Sequence, residues 1–174
     1  GEVERAYRSV LVVSIRAQTS AKDSRDVKNL LLPTWAKELV AEKFSEYDGR
    51  EIQWGDDDSL IAIFSGAKAS YDCANSIQEE LMANPEICPK IIFKIGLSTG
   101  QPVTENGDFF DKVLKLSHRL CNAARDNQLL ISTLAAKLAK ADIQTPYFNN
   151  RIVLPAEEQL LTDLFKITEG DLAE

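Results

Sequence analysis

Three consecutive carboxylates lie between two segments of the sequence that have the composition of β-strands. The aspartates at positions 56–58 follow Gly55 and separate the runs 50–54 and 59–64, which predicts a β-hairpin with an acidic tip. Carboxylate oxygens are the ligands that hard divalent cations prefer, so one of these aspartates could bind a metal. Acidic residues are also common in solvated turns, and both interpretations stay open.

Lys115 and Arg119 are two basic residues whose spacing is suited to binding an anion. They lie four residues apart in a segment of helical periodicity, which places them on one helix face with their Cβ atoms about 6 Å apart. Both side chains could therefore contact one phosphate group. The alternative is a solvated face on which Asp111 pairs with Lys115. His118, the single histidine, is interpreted as a packing or surface residue and not as a general base, because the neighbouring Arg119 disfavours its protonation.

The composition indicates one globular domain, residues 1–174, because a chain of 174 residues with 44% hydrophobic residues can bury a large core. The formal net charge of −7 and the scattered basic residues argue against a nucleic-acid partner and against contact with an anionic membrane. No apolar run approaches the roughly 20 residues that span a bilayer. Cys73, Cys88 and Cys121 are odd in number and lack C-x-x-C spacing, which predicts free thiols in the cytoplasm.

The hydrophobic pattern predicts an α+β fold. The order strand, helix, strand, strand, helix, strand is that of a ferredoxin-like βαββαβ core, here followed by a C-terminal α/β extension. Residues 98–104 are predicted to turn and then to continue extended. The predicted strands are 9–15, 50–54, 59–64, 91–97 and 128–132, with weaker candidates at 145–148, 151–154 and 162–168, and the predicted helices are 26–44, 67–83, 110–125 and 133–140.

Five blocks of the sequence resemble class III adenylyl and guanylyl cyclase catalytic domains. Residues 9–19, S-V-L-V-V-S-I-R-A-Q-T, resemble the opening strand of these domains, and the hairpin resembles their V-K-x-x-G-D-x-x-L-A-x-F segment. Residues 94–100, K-I-G-L-S-T-G, are similar to R-I-G-I-x-T-G, and residues 107–120 are similar to G-D-Y-F-G-x-x-V-N-x-A-A-R-L. Residues 128–132, Q-L-L-I-S, match Q-I-L-V-S. The blocks occur in the family's order, and the resemblance rests on that order and spacing.

The resemblance implies a dimer with a nucleotide site at its interface. In the family, two aspartates of one subunit hold two divalent cations, Mg²⁺ or Mn²⁺, on the triphosphate of the NTP. The partner subunit supplies base-selecting residues, an asparagine that orients the ribose and an arginine for the developing phosphate charge. The cations neutralise phosphate oxygens and activate the attacking hydroxyl, and the arginine stabilises the transition state. The partner of this chain would be a second copy or another cyclase-like domain.

The metal ligands of the family are only partly present. The first aspartate corresponds to Ser14, whose neutral hydroxyl is a poor substitute for a carboxylate. The second corresponds to Asp58 when residues 61–64, I-A-I-F, are placed on L-A-x-F, whereas a one-residue shift would select Asp56 after Gly55. Strand register favours Asp58. Mg²⁺ or Mn²⁺ is therefore expected to bind weakly or not at all.

The residues at the family's nucleotide-contacting positions also match the family only in part. The base-reading lysine corresponds to Trp54, which could stack on a base or fill the core, and its companion aspartate corresponds to Asp108, which could equally cap a helix. The asparagine position is Lys115, whereas Arg119 retains the arginine. The family's late K-G, whose lysine binds the triphosphate, has no equivalent in residues 153–159.

Two functions are consistent with these positions. The first is a degenerate cyclase-homology domain that acts as a dimerising regulatory or nucleotide-binding module in cyclic-nucleotide-type signalling. The second is an active or divergent class III nucleotidyl cyclase, a phosphorus–oxygen lyase that makes a cyclic nucleotide and pyrophosphate from an NTP. In a heterodimer, a cyclase-like partner could also provide an intact second site.

Overall fold

The computed structural model describes residues 7–18, 34–53, 58–83, 90–100, 108–140 and 151–154, the backbone alone being described for 108–111 and 151–154. Helices and strands alternate along this part of the chain, except that the second strand is followed directly by the third. In order they are β1 (Arg8–Ala17), α1 (Thr34–Glu46), β2 (Arg50–Ile52), β3 (Leu60–Phe64), α2 (Ala67–Met82), β4 (Ile91–Gly100), α3 (Asp108–Ala123), β5 (Gln128–Ser132), α4 (Thr133–Ala139) and β6 (Arg151–Leu154).

The strands form one six-stranded mixed sheet in the order β2-β3-β1-β4-β5-β6. β1 lies antiparallel to both β3 and β4, whereas β5 is parallel to β4 and β6 is parallel to β5. The first four strands have the order of a ferredoxin-like core, and β5, α4 and β6 extend it at the β4 edge. The predicted α+β fold with a βαββαβ core is confirmed.

Helices cover both faces of this sheet. Successive side chains of a strand point to opposite faces, so Leu11 and Val13 of β1 pack with α1, α2 and α4, whereas Val10 and Val12 pack with α3. This two-sided burial explains why β1 has a continuous apolar run instead of alternation. In the part of the chain that the structure describes, no helix has the length and apolar character that crossing a bilayer would need.

Helix α3 lies unusually close to β4. A Cβ atom added to Gly96 would come within 2.2 Å of the backbone oxygen of Ser117 and 2.4 Å of the backbone nitrogen of Cys121. Such distances are far below van der Waals contact, and both atoms belong to the helix backbone, which cannot rotate away. The Cys121 thiol also donates to the backbone oxygen of Lys94, with an S–O distance of 3.3 Å. Only glycine fits at position 96 without moving α3.

Several predicted boundaries differ from the structure. β4 continues to Gly100 and includes Ser98, which the sequence suggested as the start of a turn. Ser98 is fully buried, but its hydroxyl group forms a hydrogen bond with α3, so a polar residue can lie inside the sheet. The weak candidate at 151–154 is confirmed as β6. The predicted start of the first helix at residue 26 and the strand candidates 145–148 and 162–168 lie outside the described residues.

We predict that Gly96→Ala lowers the free energy of unfolding by about 2–3 kcal/mol, because the added methyl group must displace the backbone of α3. Urea denaturation followed by circular dichroism measures this change. Gly66→Ala is the matched control, because a Cβ atom at Gly66 meets no atom within 4 Å and the residue only precedes α2 as its N-cap. The control should cost less than about 1 kcal/mol. Equal stability losses in the two variants would contradict the close contact.

Candidate functional site

Ser14 and Asp58 lie at the same end of the sheet. The residue pairs of β1 with β3 run from Ser9 with Phe64 to Val13 with Leu60. Ser14 is the next residue on β1, and Asp58 precedes Leu60 by two residues on the neighbouring chain segment. The Asp58 side chain is exposed, whereas Ser14 is half-buried. Of the two positions that the sequence matches to the family's metal ligands, Ser14 thus lies on β1 and Asp58 lies just before the neighbouring strand β3.

Lys94 lies directly opposite Ser14 in the antiparallel pairing of β1 with β4. Side chains of directly opposed residues share a face of the sheet, with Cβ atoms about 5 Å apart. Both residues are half-buried. Lys94, which matches the basic residue of the family's R-I-G-I-x-T-G motif, therefore lies beside the position that corresponds to the family's first metal aspartate.

These residues do not fit a pair of divalent cations. Ser14 contributes no negative charge, whereas Lys94 matches the basic residue of the family's R-I-G-I-x-T-G motif, so the difference from the family at this point is the missing carboxylate. Among the described side chains, no three histidines, cysteines, aspartates or glutamates come together as a ligand group. Asp58 is the one carboxylate of the predicted metal pair that the sequence retains.

Lys115 and Arg119 lie on the outer side of α3. Both side chains are exposed, whereas Ser117 and Leu120 on the opposite side of the helix are fully buried against the sheet. The predicted shared face is therefore present. Lys115 makes no hydrogen bond or ion pair with any side chain that the structure describes, and the side chain of Asp111, its suggested partner, lies outside the described residues.

Two buried serines hold α3 on the sheet, and sequence reasoning did not identify them. The hydroxyl oxygens of Ser98 and Ser117 are 2.6 Å apart, Ser98 lies 2.9 Å from the backbone oxygen of Val113, and Ser117 lies 2.7 Å from that of Val10. Two hydroxyl protons cannot make three bonds at once. One serine therefore donates to the other, and the second donates to its carbonyl. The resemblance offered a signal, because the family has alanine at the position of Ser117.

The other sequence-derived candidates divide into buried and undescribed positions. His118 has only 7% of its surface exposed, so of the two interpretations the structure supports packing. Trp54, Gly55 and Asp56 lie outside the described residues. Asp108 is the first residue of α3, two residues before the predicted start at 110, and its side chain is not among those described.

The described cysteines are unsuited to nucleophilic chemistry. Cys73 and Cys121 are buried thiols, and neither forms a disulfide with another described residue. Burial raises the pKa of the Cys73 thiol to about 12, although the nearby ammonium group of Lys43 acts in the opposite direction. A thiol with this pKa carries almost no thiolate near neutral pH. Lys43 itself is held by Glu80 at 3.0 Å and Glu46 at 3.1 Å, which raises the pKa of its ammonium group.

Solved structures with the same topology identify the fold. A structure described as an adenylate/guanylate cyclase/hydrolase from Silicibacter pomeroyi matches with a TM-score of 0.61 and 23% identity, over 79% of this chain and 82% of the other. The chain has the fold of a class III cyclase catalytic domain. The resemblance that five short sequence blocks suggested is confirmed at the level of the fold.

Two fungal guanylyl cyclase domains match this cyclase fold as well. The RhGC domain from Catenaria anguillulae, solved in complex with GTP, has a TM-score of 0.55 and 14% identity over 80% of this chain and 85% of its own. A non-canonical dimeric form of the RhoGC domain from Blastocladiella emersonii has a TM-score of 0.55 and 16% identity over 78% and 84%. No protein-family model and no curated protein sequence matches the chain.

Proposed function

We propose that this chain is a degenerate cyclase-homology domain, a pseudoenzyme that dimerises and binds nucleotides as a cytoplasmic module of cyclic-nucleotide-type signalling. The observation that carries the proposal is the half-buried hydroxyl of Ser14 on β1, at the position that corresponds to the family's first metal aspartate. A neutral hydroxyl cannot neutralise a cation pair. The scaffold of a cyclase is retained, whereas the charge that its chemistry requires is altered.

The energetics support loss of turnover. Removing one preorganised charged or polar group from a site that stabilises a transition state costs about 3–4 kcal/mol, or a factor of hundreds in rate. Position 14 lacks its carboxylate, position 115 carries lysine in place of asparagine, and residues 153–159 contain no lysine for the triphosphate. Even if these losses of transition-state stabilisation add only in part, little catalytic activity is left.

Nucleotide binding and dimerisation have different requirements. Phosphate contacts need only cations, and Lys115 and Arg119 provide two on one exposed helix face. The RhGC domain from Catenaria anguillulae binds GTP on the same fold, and the RhoGC domain from Blastocladiella emersonii has been seen as a dimer. These neighbours make an NTP and a second cyclase-like subunit the natural ligand and partner to test here.

A divergent, active cyclase is the competing function, and two observations favour it. Asp58 is exposed at the end of the sheet, and Arg119 keeps the family's arginine position on the outer side of α3. A heterodimeric partner could supply a complete second site, although it could not restore a carboxylate at position 14.

We predict that the purified protein forms no cyclic nucleotide from ATP or GTP with either Mg²⁺ or Mn²⁺. The physical reason is the missing charge at Ser14. Product formation is measured by mass spectrometry at high protein concentration. Turnover that Asp58→Ala abolishes and the control Asp72→Ala preserves would refute the degenerate assignment in favour of the active one. Asp72 is a suitable control because it lies on α2, on the other face of the sheet, paired with Lys68.

We also predict that the double variant Lys115→Ala/Arg119→Ala weakens binding of a fluorescent ATP or GTP analogue at least about tenfold, because charge-assisted hydrogen bonds to phosphate are removed. Fluorescence anisotropy at low salt measures the affinity. Lys68→Ala/Lys137→Ala is the matched control, since it removes two exposed cations from α2 and α4 on the opposite face of the sheet. The prediction fails if both double variants bind like the original chain.

Finally, we predict a concentration-dependent dimer, formed head to tail by the hairpin of β2 and β3 and by α3. Multi-angle light scattering measures its mass. Reversing the charges with Lys115→Glu/Arg119→Glu should shift the equilibrium towards the monomer, whereas Lys137→Glu, a reversal on α4, should leave it unchanged. A monomer at all accessible concentrations would count against the dimeric module.

A further inference from the structure

The outer side of α3 carries three cations in one stripe. Lys112, Lys115 and Arg119 follow the spacing i, i+3, i+7, which places them on a single helix face, and all three are exposed. Leu114 and Ser117 lie on the opposite side of the helix and are fully buried against the sheet. At 1.5 Å per residue, the stripe extends about 10 Å along the axis of α3. It is therefore longer than the single turn that separates Lys115 from Arg119.

The charge of this stripe is unusual for its surroundings in the sequence. Residues 112–123 contain two lysines, one arginine and neither aspartate nor glutamate, although the whole chain has a net charge of −7. Like charges three or four residues apart on a helix repel each other, so the stripe costs helix stability. Asp108 and Asp111 precede Lys112 and Lys115 by one turn, but solvent-exposed ion pairs of this spacing are weak. A bound polyanion would remove the repulsion and form stronger, charge-assisted hydrogen bonds.

The stripe differs from the family at the two positions that precede Arg119. In the motif G-D-Y-F-G-x-x-V-N-x-A-A-R-L, the residue that corresponds to Lys112 is unspecified, and the one that corresponds to Lys115 is the asparagine that orients the ribose. A neutral amide is thus replaced by a cation, and a further cation lies one turn before it. Ser14 lacks the carboxylate that holds a cation on the triphosphate in the family. The two lysines provide positive charge that does not depend on a metal.

We infer that Lys112 is a further ligand-binding residue, and that the stripe of Lys112, Lys115 and Arg119 recognises a phosphate chain by its number of phosphate groups. The inference rests on the proposed nucleotide binding at Lys115 and Arg119. Each additional phosphate group adds negative charge that one more cation can contact. The stripe contains no aromatic or amide side chain that would select a base. The ligand class is a polyphosphate, either a nucleoside triphosphate or inorganic triphosphate, bound without a divalent cation.

Calorimetric titration of the full chain in EDTA and at low salt tests this inference. ATP, ADP and AMP vary the number of phosphate groups, GTP varies the base, and inorganic triphosphate lacks the nucleoside. The affinity should fall about threefold or more for each phosphate group removed, because each exposed charge contact contributes modestly. GTP should bind as ATP does. Inorganic triphosphate should compete with ATP for the same site.

The variant Lys112→Ala separates a phosphate contact from a structural role. It should weaken ATP binding about three- to fivefold, because one exposed cation is removed. AMP binding should be unchanged, because a single phosphate group reaches only one turn of the stripe. Lys112→Arg should retain the affinity for ATP, since it keeps the charge. Lys137→Ala, which removes an exposed cation from α4 on the other face of the sheet, is the matched control and should bind ATP like the original chain.

The outcomes distinguish this inference from the proposed function. Alanine is the best helix former, so Lys112→Ala should stay folded, which circular dichroism checks. The inference is overturned if folded Lys112→Ala binds ATP like the original chain, if ATP and AMP bind equally, or if ATP binds only when Mg²⁺ or Mn²⁺ is added. Nucleotide binding as such survives each of these results. Absence of binding by every probe would overturn the proposed nucleotide binding together with this inference.

Discussion

The contact between the backbone of α3 and Gly96 of β4 determines how α3 packs on the face of the sheet that it covers. With no Cβ at position 96, the carbonyl of Ser117 and the amide of Cys121 can approach the sheet at distances that any other residue would block. α3 is the one described helix on this face. The distance of α3 from the sheet and the direction of its axis therefore determine which of its residues face the sheet and which face outward.

A close contact alone would allow α3 to rotate, and the buried serines prevent this. The hydroxyl oxygens of Ser98 on β4 and Ser117 on α3 are 2.6 Å apart, so one hydroxyl donates to the other. The second hydroxyl then donates to a backbone carbonyl of either β1 or α3 itself. Hydrogen bonds are directional and an unmade one is costly in a buried position, so the rotation of the helix is specified. With Ser117 fixed inward, Lys115 and Arg119 must lie on the outer half of the helix.

The sequence was sufficient for features that depend on local periodicity. The apolar run of β1 predicts burial on both faces, and the four-residue spacing of Lys115 and Arg119 fixes their shared face in any helix. Features that depend on pairing between distant residues could not be predicted. Lys94 stands opposite Ser14 because of the register of strands 80 positions apart, and Ser98 is buried because α3 satisfies its hydroxyl. A polar Ser-Thr-Gly sequence otherwise resembles a turn.

The contacts that hold the fold and the residues that would carry chemistry are physically separate. Gly96, Ser98 and Ser117 are constrained by volume and hydrogen bonding, and none of them needs the charge at position 14. A serine there leaves the packing of α3 intact, so the fold itself does not depend on a metal ligand at position 14. The reverse change concerns β1 alone. A carboxylate at position 14 would face the ammonium group of Lys94, and a basic residue at that position of β4 is already part of the family's R-I-G-I-x-T-G motif.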